Sequence, residues 1–202
     1  MKKLLFIATV FIAATAFITK AKLEPLAIGA TMPLDNAKMK NITTGKDASL
    51  SELKMANGTL VVFSCNTCPF VIANQQRIYR LQKYAIGYNI GLAIVNSNEA
   101  KRSGDDSEEK MKTYGVDQRY YGAHLVDKNS KLADAMGATV TPECFLFDKN
   151  NKLVYHGAID DSPRDEEAAK LNYLIDAMQS LNEAKPIAVP NTKGIGCGIK
   201  RK

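Results

Sequence analysis

Leu60-Val61-Val62-Phe63-Ser64-Cys65-Asn66-Thr67-Cys68 is the stretch that decides how this chain is read. The run from Leu60 to Phe63 is rich in β-branched residues and bounded by Gly58, which predicts a buried strand. From Cys68 onward, Val71, Ile78, Leu81 and Ala85 recur at helical intervals, Gln75, Gln76, Arg77 and Lys83 are left for solvent, and Gly87 ends the helix. Two thiols therefore stand where a strand hands over to a helix. The thiolate is the nucleophile in disulfide exchange, and an ordinary cysteine with a pKa near ~8.5 is mostly protonated at neutral pH. Unpaired N–H groups and the positive end of the macrodipole at a helix start stabilise the anion. This placement predicts an accessible, readily ionised Cys65, with Cys68 one turn later able to attack a mixed disulfide. The same spacing also suits a metal. An inert Cys65–Cys68 bridge is a weaker reading than redox exchange, because so small a loop gives modest entropic stabilisation.

Working outward, Ile90 to Asn96 predicts a second buried strand, so the opening unit is β-α-β with a parallel pair. Before it, Ile28 to Leu34 is extended and turn-rich, Thr43 to Asp47 is a hairpin turn, and Leu50 to Leu53 is a helical turn. After it comes a polar, charged stretch from Ser97 to Tyr121 with a helix around Ser107 to Tyr114. A short strand at His124 to Asp127 follows, then a helix over Lys131 to Met136 stopped by Gly137. Glu143 to Asp148 and Lys152 to Gly157 flank the turn Lys149-Asn150-Asn151, an antiparallel hairpin. The final helix is expected to start with Ser162 as N-cap and Pro163 at its first position. Its apolar stripe is Leu171, Leu174, Ile175, Met178 and Leu181. The order describes an α/β protein with a central mixed sheet and helices on both faces.

Met1-Lys2-Lys3 followed by the apolar run Leu4 to Ile18, with Thr19-Lys20-Ala21 at its end, fits a cleaved secretory signal. The run is short for a membrane span of roughly 20 residues. Cleavage near Ala21 predicts an exported protein, periplasmic or extracellular, with no stable membrane span in the mature chain. Removing residues 1–21 of 202 leaves 181, enough for one domain with a sizeable core, and takes away Lys2, Lys3 and Lys20 from a formal charge of +6. We divide the rest into a domain over 22–185 and an extended, cysteine-containing tail over 186–202. Lys200-Arg201-Lys202 is a solvated end rather than a basic surface interleaved with aromatics, which excludes nucleic acid as a partner. Outside the cytosol, thiols tend to end up oxidised, and four cysteines allow three complete pairings.

The element order, the CxxC at the first strand–helix junction and Thr141-Pro142 before the hairpin resemble the thioredoxin fold, here with an N-terminal β-hairpin extension and a helical insertion. Those additions look like the redoxin branch, which includes peroxiredoxins and exported thiol–disulfide oxidoreductases. The segments Val61 to Phe70, Thr141 to Asp148, Gly157 to Pro163 and Gly196 to Lys200 carry the resemblance. It implies Cys65 as attacking thiol, Cys68 as resolving thiol, and a cis peptide before Pro142 that sets Thr141 beside the CxxC. The loop before such a proline offers its backbone to an extended client by strand addition. Thiol–disulfide exchange with disulfide-containing proteins or small thiols, served by a separate redox partner, follows from the resemblance and asks for no organic cofactor.

Two departures matter. Thioredoxins usually carry Trp before the first cysteine and Gly-Pro between the two, where this chain has Ser64 and Asn66-Thr67. Peroxiredoxins place a hydroxyl residue three before the peroxidatic cysteine and Pro seven before, where this chain has Val62 and Gly58. The second departure counts against the alternative of a dedicated thiol peroxidase. A copper- or zinc-binding protein using both thiolates and a histidine is the reading from another class, but His156 falls in a strand and His124 has no partner motif, and no metal site is assigned. Cys144 is expected to be a small hydrophobe in a central strand, with a third thiol near the site as the alternative. Cys197, among glycines, is expected to be accessible and to form a disulfide with Cys144 or at the active site. Glu143, Asp160 and Asp161 are expected to be solvated or capping carboxylates.

Overall fold

Strand β3 (Gly58–Ser64) is buried along its whole length. Successive side chains of a strand point to opposite faces, and Leu60 and Val62 enter one apolar cluster while Val61 and Phe63 enter another. The strand is therefore the middle of three layers. Its first face is covered by Ile78, Leu81 and Ala85 of α3 (Gln75–Gly87) and by Leu174, Ala177 and Met178 of α6 (Tyr173–Asn182). Its second face is covered by Leu50 of α1 (Leu50–Leu53) and by Leu132, Ala133 and Met136 of α5 (Lys131–Met136). Each large side chain buried this fully contributes about 1.5–3 kcal/mol.

The computed structural model describes residues 23–202; the segment read as a secretion signal lies outside the described residues. Seven strands form the main sheet. They are β1 (Met39–Asn41), β2 (Asp47–Ala48), β3, β4 (Ile90–Asn96), β5 (Ala123–Val126), β7 (Glu143–Asp148) and β8 (Leu153–Gly157), in the spatial order β2-β1-β5-β4-β3-β7-β8. The centre, β3-β4-β5, is parallel, and the remaining pairs are antiparallel. A separate two-stranded ladder joins β6 (Val140–Thr141) to β9 (Cys197–Gly198). Among the described residues, no helix is long and apolar enough to cross a membrane.

Local chemistry sets most boundaries. Ser49 caps α1 in a reciprocal arrangement with Glu52, and Ser107 accepts from the Lys110 amide at the start of α4 (Glu108–Asp117). Gly137 closes α5 in the left-handed conformation, which glycine adopts without steric cost.

Two boundaries differ from the sequence expectation. The helix after Cys68 is not continuous: α2 (Pro69–Ala73) and α3 meet at Asn74. The Asn74 amide donates to the Phe70 carbonyl at 2.7 Å and to the Pro163 carbonyl at 2.8 Å. A side chain that takes the carbonyl four residues back competes with the helix for it. The last helix starts at Tyr173, not at Ser162. The Asp160 carboxylate accepts the Ser162 amide, Asp161 accepts the amides of Lys170 and Leu171, and Asp165 accepts that of Glu167. Those side-chain bonds hold 160–171 in turns, and Leu171, assigned to the apolar stripe, is exposed.

Candidate active site

The site is built at the C-terminal end of β3. After Ser64 the chain turns through Cys65-Asn66-Thr67, and Cys68 stands at the N-cap position of α2, without a side-chain capping bond, with Pro69 at the first helical position. Proline there costs nothing, because its missing N–H has no partner in a first turn. From the other side comes the loop between β6 and β7, where the Thr141–Pro142 peptide is cis, as the resemblance implies. Thr141 Oγ1 lies 3.3 Å from Cys65 Sγ. Cys65, Cys68, Thr141 and Pro142, named from sequence, thus converge.

The fourth component comes from the far end of the chain. Cys197 is bonded to Cys68 in a disulfide spanning a sequence separation of 129, with Cα atoms 5.9 Å apart. Of the pairings left open by the sequence, this is the one formed, and Cys65 and Cys144 are free and buried. The pairing is set by β9, which lies antiparallel on β6 with Cys197 opposite Thr141 and Gly198 opposite Val140. Cys68 Sγ sits 3.2 Å from the Thr141 carbonyl oxygen. In the disulfide it has no proton to donate, so this is a contact that becomes a hydrogen bond only when the thiol is free.

Cys65 departs from expectation. It is 4% exposed, and burial pushes its thiol above the ordinary value. The Thr141 hydroxyl pulls it back down, the Asp106 carboxylate pushes it up again, and the amides of Cys68 and Thr67 oppose that push. The helix-start amides are therefore aimed at the sulfur as the sequence suggests, but in this disulfide state desolvation wins. Cys144 sits opposite Val62 and Gly157 in the middle of the sheet, fully buried, and burial raises its thiol strongly. It behaves as a core hydrophobe.

Asp106 was invisible to sequence reasoning. Fully buried, its carboxylate accepts the Asn66 backbone amide at 2.9 Å, the Asn96 side chain at 2.7 Å and the Asn98 side chain at 3.0 Å. It ties the dipeptide between the two cysteines to the end of β4. The only signal would have been a Asp-Asp pair in a charged insertion, which ordinarily means a solvated surface. Glu143 is a capping carboxylate as expected, but a buried one. It accepts the Thr139 and Val140 amides at 2.7 and 3.1 Å and meets His156 Nε2 at 2.7 Å. His156 Nδ1 meets Asn191 at 3.0 Å, so both its ring nitrogens are engaged away from the sulfurs. Asp160 is buried against Arg77 at 3.1 Å, and Asp161 is a capping residue.

The profile of the Redoxin family matches residues 27–175. The chain belongs to the Redoxin family. An uncharacterised conserved protein from Geobacillus kaustophilus is 30% identical with a TM-score of 0.80, over 87% of this chain and 93% of its own. A hypothetical protein from Sinorhizobium meliloti is 26% identical with a TM-score of 0.79, over 89% and 97%. The thioredoxin domain of a thiol-disulfide oxidoreductase from Bacteroides vulgatus is 17% identical with a TM-score of 0.54, over 66% and 89%. No curated protein matches. This redoxin therefore has the thioredoxin fold, with the β1–β2 hairpin and the segment carrying α4 as its additions.

Proposed function

We propose that this redoxin is a thiol–disulfide oxidoreductase that exchanges disulfides with proteins or small thiols through Cys65 and Cys68. The observation that carries the reading is the presence of three sulfurs around one threonine, one of them a free thiol and two already joined. Cys65, as thiolate, attacks a client disulfide and releases one client thiolate. Cys68 then attacks the Cys65 sulfur and releases the second, leaving Cys65–Cys68 oxidised and the client reduced by two electrons. The amides of Thr67 and Cys68 and the hydroxyl of Thr141 stabilise the attacking anion once the site opens to solvent. The departures at Val62 and Gly58 leave a peroxide without its polarising hydroxyl, which favours a disulfide as substrate. We also propose that residues 1–21 direct export and are removed near Ala21, an assignment the mass of the mature protein checks.

The test is reduction of a disulfide-bonded peptide by the pre-reduced protein. Cys65→Ser should abolish turnover, and Cys68→Ser should accumulate a mixed disulfide at Cys65. Full turnover in either variant refutes the assignment.

A further inference from the structure

The disulfide joins Cys68 to a residue outside the CxxC, and the segment bearing that residue is seated independently of the bond. On one side of Cys197, the His156 amide donates to the Pro190 carbonyl at 3.0 Å and the Thr192 amide donates to the His156 carbonyl at 2.9 Å. On the other side, the Ile199 amide donates to the Thr139 carbonyl at 2.9 Å and the Lys200 amide to Asn98 Oδ1 at 2.8 Å. Arg201 Nε then reaches Asp134 Oδ1 at 2.7 Å. Ile199 is buried in the second core cluster. Gly196 passes so close to the β6 backbone that a Cβ there would lie 2.1 Å from the Thr141 carbonyl oxygen. A solvated tail would need none of this. The seat delivers one thiol to one sulfur.

We propose that Cys197 is a third redox thiol of this site, which takes Cys68 over from Cys65 and leaves Cys68–Cys197 as the oxidised resting form. The inference rests on the disulfide exchange proposed above and adds a step to it. The Cys197 thiolate attacks the Cys68 sulfur of the Cys65–Cys68 disulfide. The Cys68–Cys197 bond forms, the Cys65–Cys68 bond breaks, and Cys65 departs as a thiolate that takes up a proton. No electrons enter or leave the protein in that step. Across the sequence, one client disulfide becomes a dithiol while the thiols of Cys68 and Cys197 become one disulfide.

Thr141 is placed to assist. Its hydroxyl is 3.3 Å from Cys65 Sγ and 3.5 Å from the Cys197 carbonyl, so it can donate to the departing thiolate or to the docked strand. A free Cys65 beneath that hydroxyl is the product state of the step. In this form strand β9 occupies the β6 edge, the edge that the resemblance assigns to an extended client.

The experiment is disulfide mapping of the full chain. Pre-reduced protein is given one molar equivalent of a disulfide-bonded peptide, quenched with acid, alkylated with N-ethylmaleimide and digested for mass spectrometry. Cys68–Cys197 should exceed Cys65–Cys68 by at least tenfold. In Cys197→Ser the product should be Cys65–Cys68, and in Cys65→Ser the Cys68–Cys197 bond should form at least tenfold more slowly than in the wild type. Peptide reduction is read in the same samples. Reduction with Cys65–Cys68 as the main wild-type product overturns the third-thiol step alone; an undiminished rate in Cys65→Ser, or no reduction by the wild type, overturns the reading of function itself.

Discussion

Reduction of Cys68–Cys197 should cost this protein far more stability than a bond within the CxxC would. In the chain-entropy account, a cross-link stabilises by restricting the unfolded chain, and the effect grows with the loop it closes. For a separation of 129, that account gives about 5 kcal/mol at 25 °C, and for the four-residue Cys65–Cys68 loop about 2 kcal/mol. In a domain of this size each kcal/mol moves Tm by about 2–4 °C, so the expected drops are about 10–20 °C and about 4–8 °C. Differential scanning calorimetry with and without a phosphine reductant reads them. The wild type and Cys65→Ser should both show the large shift, because both can form the long bond. Cys197→Ser should show at most the small one. Equal shifts in Cys65→Ser and Cys197→Ser, or a wild-type shift below about 4 °C, would show that the long loop is not what the folded protein closes.

Asp106→Asn removes a negative charge that pushes the Cys65 thiol up, so in the reduced protein the pH midpoint for iodoacetamide alkylation of Cys65 should fall; a rise contradicts the assignment. His124 is pushed down to about 4, chiefly by burial and also by the Arg102 charge. The unfolded chain takes up that proton below about pH 6.5 while the folded one refuses it until near pH 4, so stability is lost as the pH falls through that window, by about 1.4 kcal/mol per unit and about 3 kcal/mol in all. Denaturant midpoints at pH 7 and pH 4.5 should show the loss in the wild type and not in His124→Phe, which keeps a ring against Tyr120; a slope that survives the substitution is the contrary result. Gly196→Ala puts a Cβ into the Thr141 carbonyl and should cost about 1–3 kcal/mol, speed hydrogen exchange at the amides of 197–199 and lower the yield of Cys68–Cys197. Unchanged protection of those amides would show that the strand tolerates the displacement.

What the sequence discloses are features whose causes lie close together along the chain. The alternation of Leu60 and Val62 against Val61 and Phe63, the Ser107 cap, the Gly137 stop and the hairpin turn at Lys149 to Asn151 each follow from a few neighbouring residues. Features settled by distant partners are not legible in that way. The break at Asn74 depends on a bond to Pro163, 89 positions away. The start of α6 is delayed by carboxylates whose preference for local amides outcompetes the Ser162 cap. The β6–β9 ladder involves two residues on each side and has no periodicity to detect. The expectation of an acidic Cys65 is correct about the amides that face it, but burial is a property of the assembled site, and burial is the larger effect here.

Proximity along the chain is a poor guide to which cysteines pair once the protein folds. In an unfolded chain, closing the 65–68 loop is easier than joining 68 to 197 by about 3 kcal/mol, since the cost grows as three-halves RT times the logarithm of loop length. Chain statistics alone would then favour the short bond by about two orders of magnitude. Folding removes that advantage, because the hydrogen bonds at Thr192, Ile199, Lys200 and Arg201 hold the segment that carries Cys197 through contacts other than the disulfide. Four such bonds at about 1 kcal/mol each, with burial of Ile199 adding about 1.5–3 kcal/mol, exceed the 3 kcal/mol at stake. With the long loop already closed by the fold, the choice of partner for Cys68 passes to local geometry and local ionisation. A buried Cys65 whose thiolate is disfavoured by burial and by Asp106 is then the better sulfur to leave protonated, and Cys197, only partly buried at the surface, the better one to bond.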